Sequence, residues 1–133
     1  MAQHLSALAL VVADYDEAIA FYVGVLGFTL AEDTRLSDTK RWVRVTPPGA
    51  RETSLLLAKA SGPDQEAAIG NQTGGRIFLF LETDDFDRDY ARYQAAGVAF
   101  AEEAPRLEAF GKVIVFLDPY GNKWDLIERK AEA

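Results

Sequence analysis

Apolar residues recur along this chain with two different periods. In "ADYDEAIAFYVGVLGF", Ala18, Ile19, Tyr22, Val25 and Leu26 fall at helical spacing, and in "TDDFDRDYARYQAAGV", Phe86, Tyr90, Tyr93 and Ala96 do the same. Each segment begins with Asp at an N-cap position, and Asp14 followed by Glu17 fits a capping box. Gly27 and Gly97 stand where a left-handed residue ends a helix. Strand-like runs surround both segments. Leu5–Val12 precedes the first helix, and Phe28–Glu32, Arg41–Thr46 and Ser54–Ala58 follow it. Arg76–Glu82 precedes the second, and Val98–Glu102, Lys112–Leu117 and Lys123–Glu128 follow it. The unit β-α-β-β-β therefore occurs twice. "SGPDQEAAIGNQTGG" reads as a linker with about one helical turn, and "DPYGN" as a tight hairpin turn.

This pattern predicts an α+β fold: two tandem β-α-β-β-β modules whose strands form an open, cup-shaped mixed sheet, with helices on the outer face. The expected domain is single and spans 1–133, with module one over about 1–60, a linker over about 61–74 and module two over about 75–133. Strand alternation assigns the cup lining. If Ala7 faces the cup, so do Ala9 and Val11, while Leu8, Leu10 and Val12 pack on the helix. Phe78, Phe80 and Glu82 share one face, as do Lys123, Asp125 and Ile127, while Trp42 and Arg44 turn inward opposite Val43 and Val45. Small residues leave room and aromatic ones supply stacking area, which points to a pocket for a small, partly aromatic molecule. Alternatively, Phe78 and Phe80 simply fill the cup.

Asp125 has three readings from sequence. It is a general base, a group that binds a ligand donor or cation, or a structural charge paired with Arg44 or another arginine. It is the weak candidate for a catalytic residue. Arg76 is a further candidate for an anion clamp at the rim.

Composition narrows the chemistry. The chain has no cysteine and one histidine, which excludes disulfides, thiolate metal sites, a cysteine nucleophile and a site built on several histidines. A Ser-His-Asp arrangement is implausible with a lone His4 near the terminus. No phosphate-binding or dinucleotide glycine motif is present. The formal charge of −7 disfavours nucleic acid and anionic membrane as partners, and it favours either solubility or a cationic ligand. "LSALALVVA" reads as a buried strand and not as a signal peptide, so the expected compartment is the cytoplasm.

Taken together and in order, "AIAFYVGVLGF", "RWVRVTPPGA" and "FLDPYGNKWDLIE" resemble the glyoxalase/bleomycin-resistance/extradiol-dioxygenase superfamily, also called vicinal oxygen chelate. The resemblance covers nearly the whole chain and implies a homodimer. It also implies four cup-facing positions where metal-using members place histidines and glutamates. These fall on Ala7, Leu56, Phe78 and Asp125, of which only Asp125 offers a lone pair. His4 lies three residues before Ala7, on the opposite alternation parity. The expectation is thus no metal and no cofactor, and a small hydrophobic or cationic molecule held by Trp42, Arg44, Phe78, Phe80 and Asp125. A metal-dependent lyase, isomerase or dioxygenase of the same superfamily, and an interaction module with a filled cup, remain the alternatives. Sequence leaves enzyme and binding protein undivided.

Overall fold

A computed structural model describes residues 1–131. The chain divides into two compact units, Met1–Gln72 and the part from Thr73 onward. In the first unit, β1 (Ala7–Val12) leads into α1 (Tyr15–Ile19), which continues as a π-helix over Ala20–Val25. Then come β2 (Thr29–Arg35), β3 (Arg41–Thr46), β4 (Ser54–Lys59) and α2 (Pro63–Ala68). The sheet order is β1-β4-β3-β2, with β1 parallel to β4 and the other neighbours antiparallel. The second unit holds β5 (Leu79–Glu82), α3 (Phe86–Ala95), β6 (Ala99–Phe100), β7 (Arg106–Glu108), β8 (Gly111–Leu117) and β9 (Lys123–Arg129). Its order is β5-β9-β8-β6, with β7 also paired to β8, and only β5·β9 is parallel. The fold is α+β, and each module forms a mixed sheet of its own.

Local chemistry explains the helix ends. Asp14 Oδ2 accepts the Glu17 N–H at 2.8 Å, and Asp85 Oδ1 accepts the Arg88 N–H at 3.1 Å, so both first turns are capped as the sequence predicts. Gly27 and Gly97 take φ of 81° and 83°, a region costly for any residue with a Cβ. The first helix widens near its end, where the Leu26 N–H reaches back five residues to the Phe21 carbonyl at 2.9 Å. That widening still buries Ala18, Phe21, Tyr22 and Leu26, which with Leu10, Val12, Val43, Val45 and Leu57 make the core of the first unit.

The second core is more aromatic. Phe116 and Trp124 are cross-strand partners on β8 and β9, and their rings stack with centroids 5.6 Å apart. Tyr93 of α3 meets Phe116 edge-on at 5.3 Å. In the turn after β8, the buried Asp118 Oδ1 accepts the N–H groups of Tyr120 and Asn122 at 3.0 and 2.9 Å. Three differences from the sequence reading stand out. The strand expected from Arg76 starts at Leu79, β6 is two residues long, and β7 was not anticipated. The helical turn of the linker is α2, and beyond it the Gln72 amide accepts the Val11 N–H and donates to the Val11 carbonyl. It thereby covers part of the β1 edge, which has no strand neighbour in its sheet.

Candidate functional site

The helix-averted face of the first sheet carries Ala7, Ala9 and Val11 of β1, Leu56 and Ala58 of β4, and Trp42 and Arg44 of β3. The alternation is clear on β3, where Val43 and Val45 are fully buried while Trp42 is 38% exposed. Arg44 donates from Nε to Glu32 Oε1 at 3.0 Å and from Nη1 to Ser54 Oγ at 3.3 Å. Its partners are therefore its neighbours on β2 and β4, because the register sets Arg44 opposite Glu32 and Leu56.

On the second sheet the corresponding face carries Phe78, Phe80 and Glu82, with Lys123, Asp125 and Ile127 beside them. Phe80 and Asp125 are register partners, and Val115 flanks Asp125 on its other side. Phe80 is 67% exposed, so it is an open apolar surface and not core filling. Glu82 pairs with Arg129 at 2.6 Å. Asp125 has a buried Oδ1 with no hydrogen-bond partner. Burial pushes its carboxyl above the ordinary range, Arg106 pulls the other way, and Glu102 adds to the rise. Arg106 gives little relief because its guanidinium is held by Glu102 and Glu108 at 2.5 and 2.6 Å.

The two sheets match in register. Leu56 pairs with Ala9 and Asp125 pairs with Phe80, so Ala7 and Phe78 each sit two residues before the partner of the equivalent strand residue. The four positions implied for a metal thus form two equivalent pairs, holding three hydrocarbon side chains and one carboxylate. A catalytic divalent ion needs about three protein ligands. Among the described residues no three His, Cys, Asp or Glu side chains are grouped to hold one. His4 is exposed and outside any strand. The residues do not fit a metal.

Sequence reasoning missed a second feature, a fork in the first sheet. β3 and β4 pair at Val45↔Leu55, Arg44↔Leu56 and Val43↔Leu57, and the ladder stops there. Beyond that point Trp42 and Arg41 pair only with β2, and Ala58 and Lys59 only with β1. Ser54 and Ala60 donate their N–H groups towards the β1 side. By alternation, Lys59 turns its backbone N–H and C=O towards β3. Arg41 should meet it there, but the Arg41 N–H donates to the Tyr15 Oη at 3.1 Å instead. Tyr15 is buried at the first position of α1, so its hydroxyl ends the ladder. A cavity of about 500 Å³ opens in the fork, bordered by Tyr15, Thr39, Lys40, Arg41, Trp42, Leu56, Leu57, Ala58, Lys59, Ala60, Ser61 and Gln65. The signal was present in the repeat: Tyr15 stands where the second half has Phe86, and Lys59 where it has Glu128.

Comparison with known proteins agrees with this architecture. Residues 4–126 match the Glyoxalase/Bleomycin resistance protein/Dioxygenase superfamily. An uncharacterised protein of Shewanella frigidimarina is 56% identical over 129 residues, covering 96% of this chain and 95% of that protein. The crystal structure of UcmS2 superposes with a TM-score of 0.82 at 30% identity, covering 96% of this chain and 98% of that one. That of TnmS3, an antibiotic binding protein from Streptomyces sp. CB03234, superposes with a TM-score of 0.77 at 34% identity, covering 97% and 98%. No helix among the described residues is long and apolar enough to cross a membrane.

Proposed function

Because the chain belongs to the glyoxalase/bleomycin-resistance/dioxygenase superfamily, we propose that it is a small-molecule-binding protein of the bleomycin-resistance-like kind that works without the metal used by other members. The observation that carries this reading is the residue set at the four equivalent strand positions, Ala7, Leu56, Phe78 and Asp125. Hydrocarbon at three of them leaves no coordination sphere but does leave apolar surface. In this reading Trp42 and Phe80 offer flat faces to an aromatic or polycyclic ligand. Arg44 and Asp125 supply polar contacts. A carboxylate whose Oδ1 is buried without a donor gains a hydrogen bond from any ligand N–H, O–H or cation placed there, a contact worth about 1–3 kcal/mol in a desolvated site. The antibiotic-binding relative at 34% identity supports this class of ligand. The same reading takes the chain as one binding domain of two modules, acting as a cytoplasmic homodimer without nucleic-acid or membrane partners.

Elemental analysis of the purified protein tests it, together with binding titrations against a panel of planar antibiotics in the presence of EDTA. Binding that survives chelation, with no stoichiometric divalent metal, is the expected result. A metal bound one per chain, with a turnover that EDTA abolishes and a divalent ion restores, would identify a metal-dependent lyase, isomerase or dioxygenase instead. Light scattering checks the dimer, for which a monomer mass is the contrary result.

A further inference from the structure

We propose that the fork between β3 and β4 is a separate binding site for a small organic anion with a planar apolar body. The site lies within the first unit and has a ligand preference of its own, although Trp42 borders both it and the open sheet face. Its volume of about 500 Å³ suits a molecule of two or three rings, since small-molecule pockets run from about 300 to 1,000 Å³.

Charge is the first argument. The lining contains Lys40, Arg41 and Lys59 and no carboxylate, in a chain whose formal charge is −7. Arg41 is already neutralised, because it pairs with Asp16 at 2.8 Å and with Asp33 at 2.6 Å. Lys40 and Lys59 take part in no ion pair among the described residues. Two lysines without an ion-pair partner therefore border a cleft with nothing acidic in its walls. Lys40 is also held in place, since its N–H donates to Ser37 Oγ and its carbonyl accepts from Leu36 and Ser37.

Shape is the second argument. Trp42, exposed on one side, forms a flat wall, and Leu56 and Ala58 contribute apolar surface. An anion lacking an apolar body would leave that surface wet, and a cation would meet the lysines.

The repeat supplies the third argument. At the equivalent place in the second unit, Lys112 pairs with Glu128 and the β8–β9 ladder runs unbroken from Gly111↔Arg129 to Leu117↔Lys123. Phe86 has no hydroxyl to take the strand N–H, and the Glu128 carboxylate turns to the helix start, where Oε1 accepts the Phe86 N–H at 2.8 Å. The architecture closes this place when the residues permit. In the first unit a phenol holds it open, and a lysine replaces the carboxylate at its edge.

The probe is 1-anilinonaphthalene-8-sulfonate, compared with its uncharged relative N-phenyl-1-naphthylamine, by fluorescence titration and calorimetry at low ionic strength. We expect one saturable sulfonate site per chain and weaker binding of the neutral compound. Both lysines are exposed, so Lys40→Ala/Lys59→Ala retains the fold, which a thermal melt verifies. That variant should lose about tenfold in affinity for the sulfonate, about 1.4 kcal/mol, and leave the neutral compound unaffected. Added salt should weaken the wild type more than the variant. Equal affinity for the two compounds, no sulfonate binding, or a variant that binds the sulfonate as the wild type does would each overturn the proposal.

Discussion

At the starts of β3 and β8 the two units repeat one arrangement of cation, aromatic ring and acid. Arg41 lies 5.2 Å from the ring centre of Tyr15 and pairs with Asp16, while Lys112 lies 5.2 Å from the ring centre of Phe86 and pairs with Asp87. In both, a cation crosses the aromatic residue that follows the helix cap and reaches the acid after it. Yet one ladder is split and the other is closed. The Arg41 N–H donates to the Tyr15 hydroxyl, whereas Lys112 joins its neighbours in pairing with β9. The difference teaches that a strand pair in this fold closes unless a side chain offers the strand N–H a better-placed acceptor. In the first unit the phenolic oxygen takes that donor and the ladder parts, whereas in the second, where Phe86 has no hydroxyl, the ladder continues.

The closed side breaks most severely at Gly111. Its φ of +154° and its packing leave no room for a Cβ, which would run into the Glu128 carbonyl oxygen. Gly111→Ala should cost about 3 kcal/mol, read from urea unfolding, with faster amide exchange along β8 and β9. A loss below 1 kcal/mol would mean that the ladder start yields easily.

Glu128 provides the next test. Glu128→Ala removes the acceptor of the Phe86 N–H and should cost about 1–2 kcal/mol. Glu128→Asp, one methylene shorter, should recover only part of it. An unchanged midpoint would show that solvent already satisfies that donor.

Tyr15→Phe makes the first unit resemble the second. The expected result is that Arg41 turns to Lys59 and the fork closes. Stability should change by about 1 kcal/mol or less, because one hydrogen bond replaces another. Exchange at the Arg41 and Lys59 amides should slow, and naphthalene sulfonate binding should fall. Faster exchange at Arg41 would instead show a donor left orphaned and a fork held open by other contacts.

The smallest effect belongs to Asp125, which has no counterpart carboxylate in the first sheet, where Leu56 stands. Its folded-state pKa is raised by burial, so ionisation opposes folding. The penalty is absent below the unfolded value of about 3.9 and complete above the folded value. Asp125→Asn should therefore stabilise the protein at neutral pH, by less than about 1 kcal/mol because the group is partly exposed. The gain should vanish as pH falls through the acid range, as thermal melts at pH 7 and pH 3 would show. A destabilised variant at pH 7 would mean that the carboxylate holds a partner in solution.

Much of this was legible from the residues. The doubled unit, both Asp caps, Gly27, Gly97 and the hairpin turn follow from local rules, since each depends on a few neighbours and a fixed period. Alternation on "RWVRV" carries through to burial, whereas Leu8, expected on the helix side, is 38% exposed and Ile127, expected on the open face, is 6% exposed. Asp125 stands out in the sequence as the one carboxylate on its strand face, but that its Oδ1 is buried without a hydrogen-bond partner shows only in the structure. Arg44 goes to Glu32 and Ser54, a choice set by strand register, and register is a long-range property. The strand expected over Val98–Glu102 shrinks to the two-residue β6, and β7 is added, for the same reason, since their pairing depends on β8 and not on their own propensity.

By itself the sequence determined most of the segments that become helix or strand, which side of β3 is apolar, and that hydrocarbon occupies three of the four positions that the family resemblance implies for a metal. Only the tertiary structure decided where the ladders close and where they part. Periodicity fixes the direction in which a side chain leaves its own strand. Which donor an oxygen captures depends on distances between residues far apart in the chain, and those exist only once the sheets have formed.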